Sequence, residues 1–327
     1  MKVGIFTTNE SFIGPVIDAL RRKGHELLFW THTPDEHVNW LNLMRILDRV
    51  DLAYFDWCQK PFLEVMSLEA LGCKIAIRAH GMPFFGIWDT FPWNHVDLLI
   101  GASIIIGWKI EQLPPERRPK KYMHSPVGSD PTVFTIPKNK KYGRNIVTHS
   151  TTIRYRKRVY TTIQSFYDLL QQDRKWTLNI VGEWERGYPG WEGRQYTDPC
   201  LELMEDLDLR TKVNLIGNMD METWRTFLHS QDIFISNSIR EGVQVSLVEA
   251  MMSGVYPLIN AWRGSDYYYP KDCLFRSQRE LVDKILAWLK LPVENKRRLS
   301  EEMREWASER FDARVNADRL VEELEGL

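Results

Sequence analysis

Short runs of apolar residues alternate with segments of helical spacing along the whole chain. An apolar run at residues 3–6 is followed by a helical pattern over residues 15–23, which ends at Gly24, and by a second apolar run at residues 27–30. This order predicts the βαβ unit of a parallel sheet. The same pattern predicts further strands in the first part of the chain at residues 52–55, 74–78, 97–101 and 122–127.

A polar, basic stretch that contains Pro and Gly, IPKNKKYGR at residues 136–144, interrupts this pattern and predicts a linker. Strands are then predicted at residues 145–149, 176–182, 212–217, 232–236 and 255–259, and helices at residues 159–172, 200–207, 222–229, 245–252, 277–290 and 294–311. We therefore predict an α/β protein of two doubly wound parallel-sheet domains, residues 1–138 and 139–311. The last helix, about residues 312–327, is expected to pack back on the first domain. A length of 327 residues suits two such domains, which imply a cleft.

Composition narrows the class of protein. The 43 basic and 44 acidic residues leave no overall basic field, so a nucleic-acid partner is not expected. The cysteines lack the spacing of a zinc site or a disulfide framework, and no signal peptide is evident: Cys58, Cys73, Cys200 and Cys273. We expect a cytoplasmic protein. Basic clusters at residues 21–23 and 117–121 leave open peripheral contact with the inner face of the membrane, and solvated charge explains them equally well.

The stretch SNSIREGVQVSLVEAMMSGVYPLIN, residues 236–260, carries the strongest chemical signal. It places Glu241 just beyond a predicted strand and Glu249 eight residues later, inside the following helix. Ligands of open α/β sheets bind at the carboxyl ends of strands, where helix N-termini attract phosphate. Two carboxylates roughly 12 Å apart along a helix can reach different hydroxyls of one ligand. The alternative is a pair of solvated acids, one in a loop and one on a helix.

This stretch resembles the Glu-x7-Glu motif of retaining GT-B glycosyltransferases of the family-four type, the group of glycogen synthases and phosphatidylinositol mannosyltransferases. The usual form is E-G-F-G-x-x-x-x-E-A-M-A-x-G-x-P, and this chain has Val243 in place of Phe and Gln244 in place of Gly. Other similar stretches follow in the family's order: residues 24–26, 78–81, 127–134 and 178–182. The resemblance therefore spans nearly the whole chain.

The resemblance implies roles for individual residues. Glu241 is expected to contact the donor sugar, Glu249 the nucleotide ribose, and His80 the reacting sugar. The donor diphosphate is expected to meet Lys157 and the segment Val243, Gln244, Val245 and Ser246. The family places an Arg six residues before the Lys, but that position is Thr151, so Arg154 or Arg156 has to substitute. The implied catalytic residues are His80, Lys157 and Glu241.

The implied activity is transfer of a hexosyl group from a UDP- or GDP-sugar to an acceptor hydroxyl, with retention and without a metal or other cofactor. The GT-B fold would bind a glycan, lipid-linked or small-molecule acceptor in the first domain and the nucleotide sugar in the second. Two alternatives remain open: a nucleotide-sugar epimerase of the same fold, and a non-catalytic relative that binds sugar or nucleotide. Asp206 and Asp208 imitate an Asp-x-Asp metal motif, but they lie in a helix-like stretch, so no metal site is expected.

Further residues are expected to border the predicted cleft. Candidates for the cleft or the acceptor are Asn9, Gly14, Trp184 and Trp262. Residues 183–198 read as a long loop rich in Trp, Tyr and Gly, and loops of this length are usually functional. We expect this loop to contact the nucleotide or the acceptor. Tryptophans near loop signals suit sugar rings, with ordinary packing as the alternative.

Overall fold

A computed structural model describes residues 1–7, 12–31, 40–57, 62, 65, 71–184 and 194–327. The chain forms two compact units: unit 1 is Met1–Gly128 with Phe311–Leu327, and unit 2 is Ser129–Arg310. The predicted domain boundary after residue 138 lies ten residues beyond Gly128, where the first segment of unit 1 ends. The segment between belongs to unit 2 because Phe134 is buried there and the Arg304 guanidinium donates to the Pro131 carbonyl at 2.8 Å.

Unit 1 contains one six-stranded parallel sheet with the order β2-β1-β3-β4-β5-β6. Its strands are β1 Lys2–Thr7, β2 Glu26–Thr31, β3 Leu52–Asp56, β4 Lys74–Ala79, β5 Leu98–Gly101 and β6 Lys121–His124. Its helices are α1 Gly14–Arg22, α2 Trp40–Leu47, α3 Gly81–Ile87, α4 Ile104–Ile110 and α12 Ala313–Glu325. The prediction that β6 continues to residue 127 is wrong, because Pro126 has no N–H for a ladder hydrogen bond.

Alternate residues of these strands enter two separate apolar cores, which means that both faces of the sheet are covered. Phe6 and Phe55 belong to one core, and Ile5 and Tyr54 belong to the other. Leu320 of α12 packs into the second core. The final helix is anchored to unit 1 in this way, and Lys23 adds an ion pair to Glu325 at 2.7 Å.

Unit 2 contains a second six-stranded parallel sheet with the order β12-β11-β10-β7-β8-β9. Its strands are β7 Asn145–Thr152, β8 Thr177–Glu183, β9 Val213–Ile216, β10 Ile233–Ser236, β11 Tyr256–Asn260 and β12 Leu274–Phe275. Its helices are α5 Val159–Leu170, α6 Arg194–Asp206, α7 Met221–Leu228, α8 Val245–Met252, α9 Ser265–Tyr268, α10 Gln278–Lys290 and most of α11 Val293–Phe311. Two parallel sheets confirm the predicted α/β class.

The predicted loop at residues 183–198 is wrong at both ends. Glu183 is the last residue of β8, and α6 begins at Arg194. The helix extends through Pro199 because Thr197, Cys200 and Met204 form a buried face, and this packing outweighs the helix-breaking tendency of Pro. The rest of that loop, residues 185–193, lies outside the described residues.

The longest apolar run, residues 98–108, divides into β5 and α4. Within the described ranges, none of the helices combines the length and apolar character needed to cross a membrane.

Candidate active site

The strand order of unit 2 reverses between β7 and β10, which is the position where open α/β sheets bind ligands. Glu241 lies in the loop between β10 and α8 and is only 8% exposed. Its Oε1 accepts hydrogen bonds from Lys157 Nζ at 2.5 Å and from Ser238 Oγ at 2.7 Å. Its Oε2 accepts from Arg156 Nη1 at 2.9 Å. The loop after β7 therefore supplies two cations to a carboxylate that follows β10.

Charge balance keeps Glu241 ionised. Burial alone raises the pKa of a carboxyl group, but Lys157 and Arg156 outweigh this effect and hold the pKa of Glu241 below its ordinary value. Arg156 also donates to the Arg240 carbonyl at 3.2 Å, which ties the two loops together. Arg154 lies immediately before the 3₁₀ turn Tyr155–Lys157 that carries both cations.

Gln244, which replaces the usual Gly of the motif, is the N-cap residue of α8 and is buried. Its φ is −86°, so the backbone does not require glycine here. The side-chain Oε1 accepts from Ser236 Oγ at 2.6 Å, and Nε2 donates to the His149 carbonyl at 3.0 Å and to Ser246 Oγ at 3.3 Å. Gln244 thus joins β10, β7 and the first turn of α8.

The N–H groups in the first turn of a helix have no acceptor within the helix. Val245 and Ser246 are the first two residues of α8, and Val243 precedes the N-cap. An anion at this end of α8 can therefore accept hydrogen bonds from the backbone, next to the cations that hold Glu241.

Glu249, the fifth residue of α8 and about one turn from its start, contacts only neutral donors among the described residues. Its Oε2 accepts from Trp224 Nε1 at 2.7 Å and its Oε1 from Ser129 Oγ at 3.3 Å. Burial raises the pKa of Glu249 to about 7, and the hydrogen bonds from Trp224 and Ser129 only partly oppose that rise. The Trp224 ring also lies 4.9 Å from the ring of His149, between the centroids.

In unit 1, His80 follows β4 and is the N-cap residue of α3. Its Nε2 lies 3.4 Å from Oδ1 of Asp56, the last residue of β3, and the Asp56 side chain is fully buried. The Trp57 ring stacks on His80 with centroids 4.2 Å apart, and the Phe12 ring lies 5.7 Å from it. Burial lowers the pKa of His80, and Asp56 opposes this shift without reversing it. The neutral form of His80 therefore predominates at pH 7, and a hydrogen bond to the Asp56 carboxylate requires the tautomer with Nε2–H, which leaves the lone pair on Nδ1.

The remaining candidates for the cleft or the acceptor occupy different environments. Gly14 is the exposed first residue of α1, and a Cβ there would meet no atom within 4 Å. Trp262 is 5% exposed and Trp184 packs against the core of unit 2. Asn9 lies outside the described residues.

Four partners in these clusters were not identified from the sequence. Ser238 and Ser129 carry little signal, since serine is common in loops. Trp224 lies on the buried side of α7 and looks like an ordinary core residue. Asp56 had a usable signal, because an acid that ends an apolar strand lies at the edge of the sheet where ligands bind.

Metal ligation has no evident center in the part of the chain that the structure describes. No group of three or more His, Cys, Asp or Glu side chains is arranged there to hold an ion. Asp206 is the last residue of α6, and Asp208 follows it in a left-handed turn with a φ of 51°. Both side chains are exposed.

Comparison with solved structures shows the fold. Sucrose-phosphate synthase from Thermosynechococcus elongatus is 12% identical, with a TM-score of 0.79 over 100% of this chain and 98% of that chain. HepE from Anabaena, in complex with UDP and glucose, is 15% identical with a TM-score of 0.77 over 100% of both chains. The trehalose 6-phosphate synthase of Burkholderia multivorans is 12% identical with a TM-score of 0.76 over 99% and 98%. These neighbours are GT-B glycosyltransferases, which confirms the predicted GT-B fold.

Sequence comparison gives the family. No curated protein sequence matches the chain significantly. The model of the family "Glycosyl transferases group 1" matches residues 134–306, which is more than half of the 327 residues and includes the whole Glu241 to Glu249 segment. The predicted resemblance is confirmed, and the chain belongs to the group 1 glycosyl transferases.

Proposed function

We propose that this glycosyltransferase moves a hexosyl group from a UDP- or GDP-sugar to an acceptor hydroxyl, with retention of anomeric configuration and without a metal ion. The observation that carries the proposal is the network of Glu241 with Lys157 and Arg156 at the switch point of unit 2. HepE, which has the same fold, binds UDP and glucose, and this supports a nucleotide-sugar donor.

Lys157 and Arg156 have hydrogen-bond capacity left for a diphosphate. An ammonium carries three N–H donors and a guanidinium five. Glu241 takes one donor from Lys157 and one from Arg156. Both cations can therefore bind phosphate oxygens while they still hold Glu241. Together with the N-terminus of α8 they would stabilise the charge that develops on the departing diphosphate.

Glu241 and Glu249 keep acceptor positions for hydroxyl groups. A carboxylate offers about four lone-pair positions. Contacts with the described residues occupy three of those on Glu241, which leaves one on Oε2 for a sugar hydroxyl. On Glu249 they occupy one on each oxygen. The second lone pair of each Glu249 oxygen can accept from one of the two ribose hydroxyls.

Unit 1 is proposed to hold the acceptor. The neutral His80 ring is fixed by stacking on Trp57 and by its contact with Asp56. Its Nδ1 lone pair can accept a hydrogen bond from a hydroxyl group of a bound sugar. In this proposal His80 orients a substrate hydroxyl and thereby supports the near-attack geometry.

Donor binding is tested by thermal-shift measurements with UDP-, GDP-, ADP- and TDP-sugars. A donor at a hundred times its dissociation constant should add about 2.7 kcal/mol of stability. Glu241→Ala and Lys157→Ala should abolish transfer, whereas the exposed control variants Glu222→Ala and Lys175→Ala should not. Absence of a shift with every donor would refute the proposal.

Product analysis separates the proposed reaction from its alternatives. With an acceptor and a chelator present, NMR of the product should show the anomeric configuration of the donor. A changed monosaccharide formed from donor alone would identify an epimerase. Donor binding without turnover of any acceptor would indicate a non-catalytic relative.

A further inference from the structure

Unit 2 contains a cavity that shares no lining residue with the candidate active site. Its volume is about 330 Å³, and it is formed by the segment 135–142 and by α11. Small-ligand pockets begin at about this size. The charged side chains that line it are Lys138, Lys140, Arg297, Arg304 and Glu301. Four cationic residues and one acidic residue thus line the cavity.

Lys140 is buried in the wall of this cavity without a salt bridge. Its side chain is 8% exposed, and Nζ donates to the carbonyls of Gln231 at 2.9 Å and His229 at 3.5 Å. Within the described ranges no carboxylate oxygen comes within 4.0 Å of this ammonium. Burial lowers the pKa of Lys140 to about 8, and the more distant Asp232 opposes that shift only in part.

Arg304 is partly buried, and its guanidinium also donates to backbone carbonyls. Its guanidinium donates to the carbonyls of Met252 at 2.6 Å and Pro131 at 2.8 Å, and also to the carbonyl of Phe134. None of the salt bridges between described residues involves Arg304. Carbonyl oxygens satisfy its N–H groups, but they do not neutralise its charge.

Buried cations without counterions are costly, and proteins usually pair them or place them where an anion binds. Lys138 and Arg297 are exposed at the same cavity, so an incoming anion can reach two more cations. We propose that this cavity is an anion site that binds a phosphate group, as inorganic phosphate or a small phosphate monoester. Two negative charges and several acceptor oxygens match a set of Lys and Arg donors better than a single carboxylate does.

The test is calorimetric titration of the full chain with inorganic phosphate in a buffer free of other oxyanions. The double variant Lys138→Ala/Arg297→Ala removes the two exposed cations of the cavity. The matched control, Lys141→Ala/Arg298→Ala, removes two exposed cations next to them in sequence that do not line it. We expect the first pair to weaken binding by about tenfold or more, and the control pair to leave it unchanged.

The donor site must be kept separate, because Lys157 and Arg156 can also attract phosphate. Each titration is therefore repeated in a Lys157→Ala background, where binding at the cavity should persist. Loss of all phosphate binding in Lys157→Ala would assign it to the donor site and overturn the proposal. Equal affinities in the two double variants, or no binding by the parent chain, would also overturn it. Unchanged melting temperatures of the exposed-site variants confirm that they fold.

Discussion

Glu241 and Glu249 stand eight residues apart in one motif, yet their surroundings are opposite. Glu241 is held by Lys157 and Arg156, and these cations lower its pKa against the effect of burial. Glu249 meets the neutral donors Trp224 and Ser129, and its pKa rises to about 7. At neutral pH the first is an ion in a network of charges, and the second is poised between its acid and its ion.

This difference separates the parts that the two carboxylates can take. The ionised Glu241 holds Lys157 and Arg156, the cations proposed to stabilise the departing diphosphate, and it keeps one lone pair for a sugar hydroxyl. A carboxyl group near half ionisation, held by neutral hydrogen bonds, suits uncharged hydroxyl groups. Pairs of acids whose surroundings push their pKa values apart commonly divide their tasks in this way.

The largest effect is expected from Glu241→Ala. The variant leaves Lys157 and Arg156 facing each other without their carboxylate, and removal of one partner from a buried ion pair typically costs about 3–5 kcal/mol. Because Arg156 is about a third exposed, we expect the lower end of that range. Urea unfolding at pH 7 measures the change. The control Glu222→Ala, on an exposed side chain, should stay within about 0.5 kcal/mol. An equal loss of unfolding free energy in Glu241→Ala and Glu222→Ala would contradict the stabilising role of the Glu241 network.

The next effect concerns Glu249 and pH. Its pKa is about 7 in the folded protein, against an ordinary value of 4.5, so the folded state binds the proton more tightly. The stability that this group contributes is complete below about pH 4.5 and is lost as the pH rises to about 7. The loss is on the order of 3 kcal/mol.

Glu249→Gln, which cannot ionise, should lack this component of the pH dependence. The unfolding free energy of each protein is measured at about pH 5 and about pH 8. The change between the two pH values is then compared between parent and variant, so that the contributions of the other titrating groups cancel. The prediction fails when the two proteins lose stability in parallel. UDP affinity gives a second readout: if Glu249 binds the ribose as proposed, its ionised form would be the better acceptor, and UDP binding should tighten as the pH rises through about 7.

A smaller effect is expected from Trp224→Phe. The change keeps an aromatic ring beside His149 but removes the Nε1 donor that lies 2.7 Å from Glu249. Loss of a hydrogen bond to a charged group costs about 1.5–3 kcal/mol when Glu249 is ionised, and less when it is protonated. The pKa of Glu249 should rise further, so the pH midpoint for UDP binding should move upward. Trp176→Phe is the control, because the buried Nε1 of Trp176 has no hydrogen-bond partner among the described residues. A midpoint that moves equally in both variants contradicts the role of Trp224.

The sequence predicted the strands and helices of unit 2 better than the partners of its carboxylates. Strands and helices followed from local periodicity, and α8 spans the predicted residues. Placement of Lys157 beside Glu241 depends on a motif and on strand order, which a family resemblance can supply. Trp224 and Ser129 reach Glu249 from distant parts of the chain, and no local pattern marks such contacts.

In unit 1 as well, the sequence identified a candidate residue but not its partner. His80 was singled out by the family resemblance of residues 78–81, but the fully buried side chain of Asp56 beside it was not. Pairing of β3 with β4 brings the two residues together, and that register cannot be derived from either segment alone. The hydrogen bonds of Gln244 could not be predicted from the sequence either. The motif usually has a glycine at this position, where the role of the residue is steric, whereas the Gln244 side chain joins two strands and a helix.

The smallest effect is expected from Asp56→Asn. This variant compares the carboxylate of Asp56, in unit 1, with those of Glu241 and Glu249 in unit 2. Asp56 faces a neutral histidine, so loss of its charge breaks no ion pair with His80, and the amide oxygen can still accept from Nε2. We expect a change of about 1 kcal/mol or less in unfolding free energy. Asp56 raises the pKa of His80 against the stronger effect of burial, so the variant should lower this pKa further. NMR titration of the imidazole measures that shift.

Asp97→Asn is the control, because Asp97 is paired with Lys120 at 2.9 Å elsewhere in unit 1. This variant should leave the pKa of His80 unchanged. A rise in the pKa of His80, or an equal shift in both variants, would show that Asp56 does not act on the ring through the contact described.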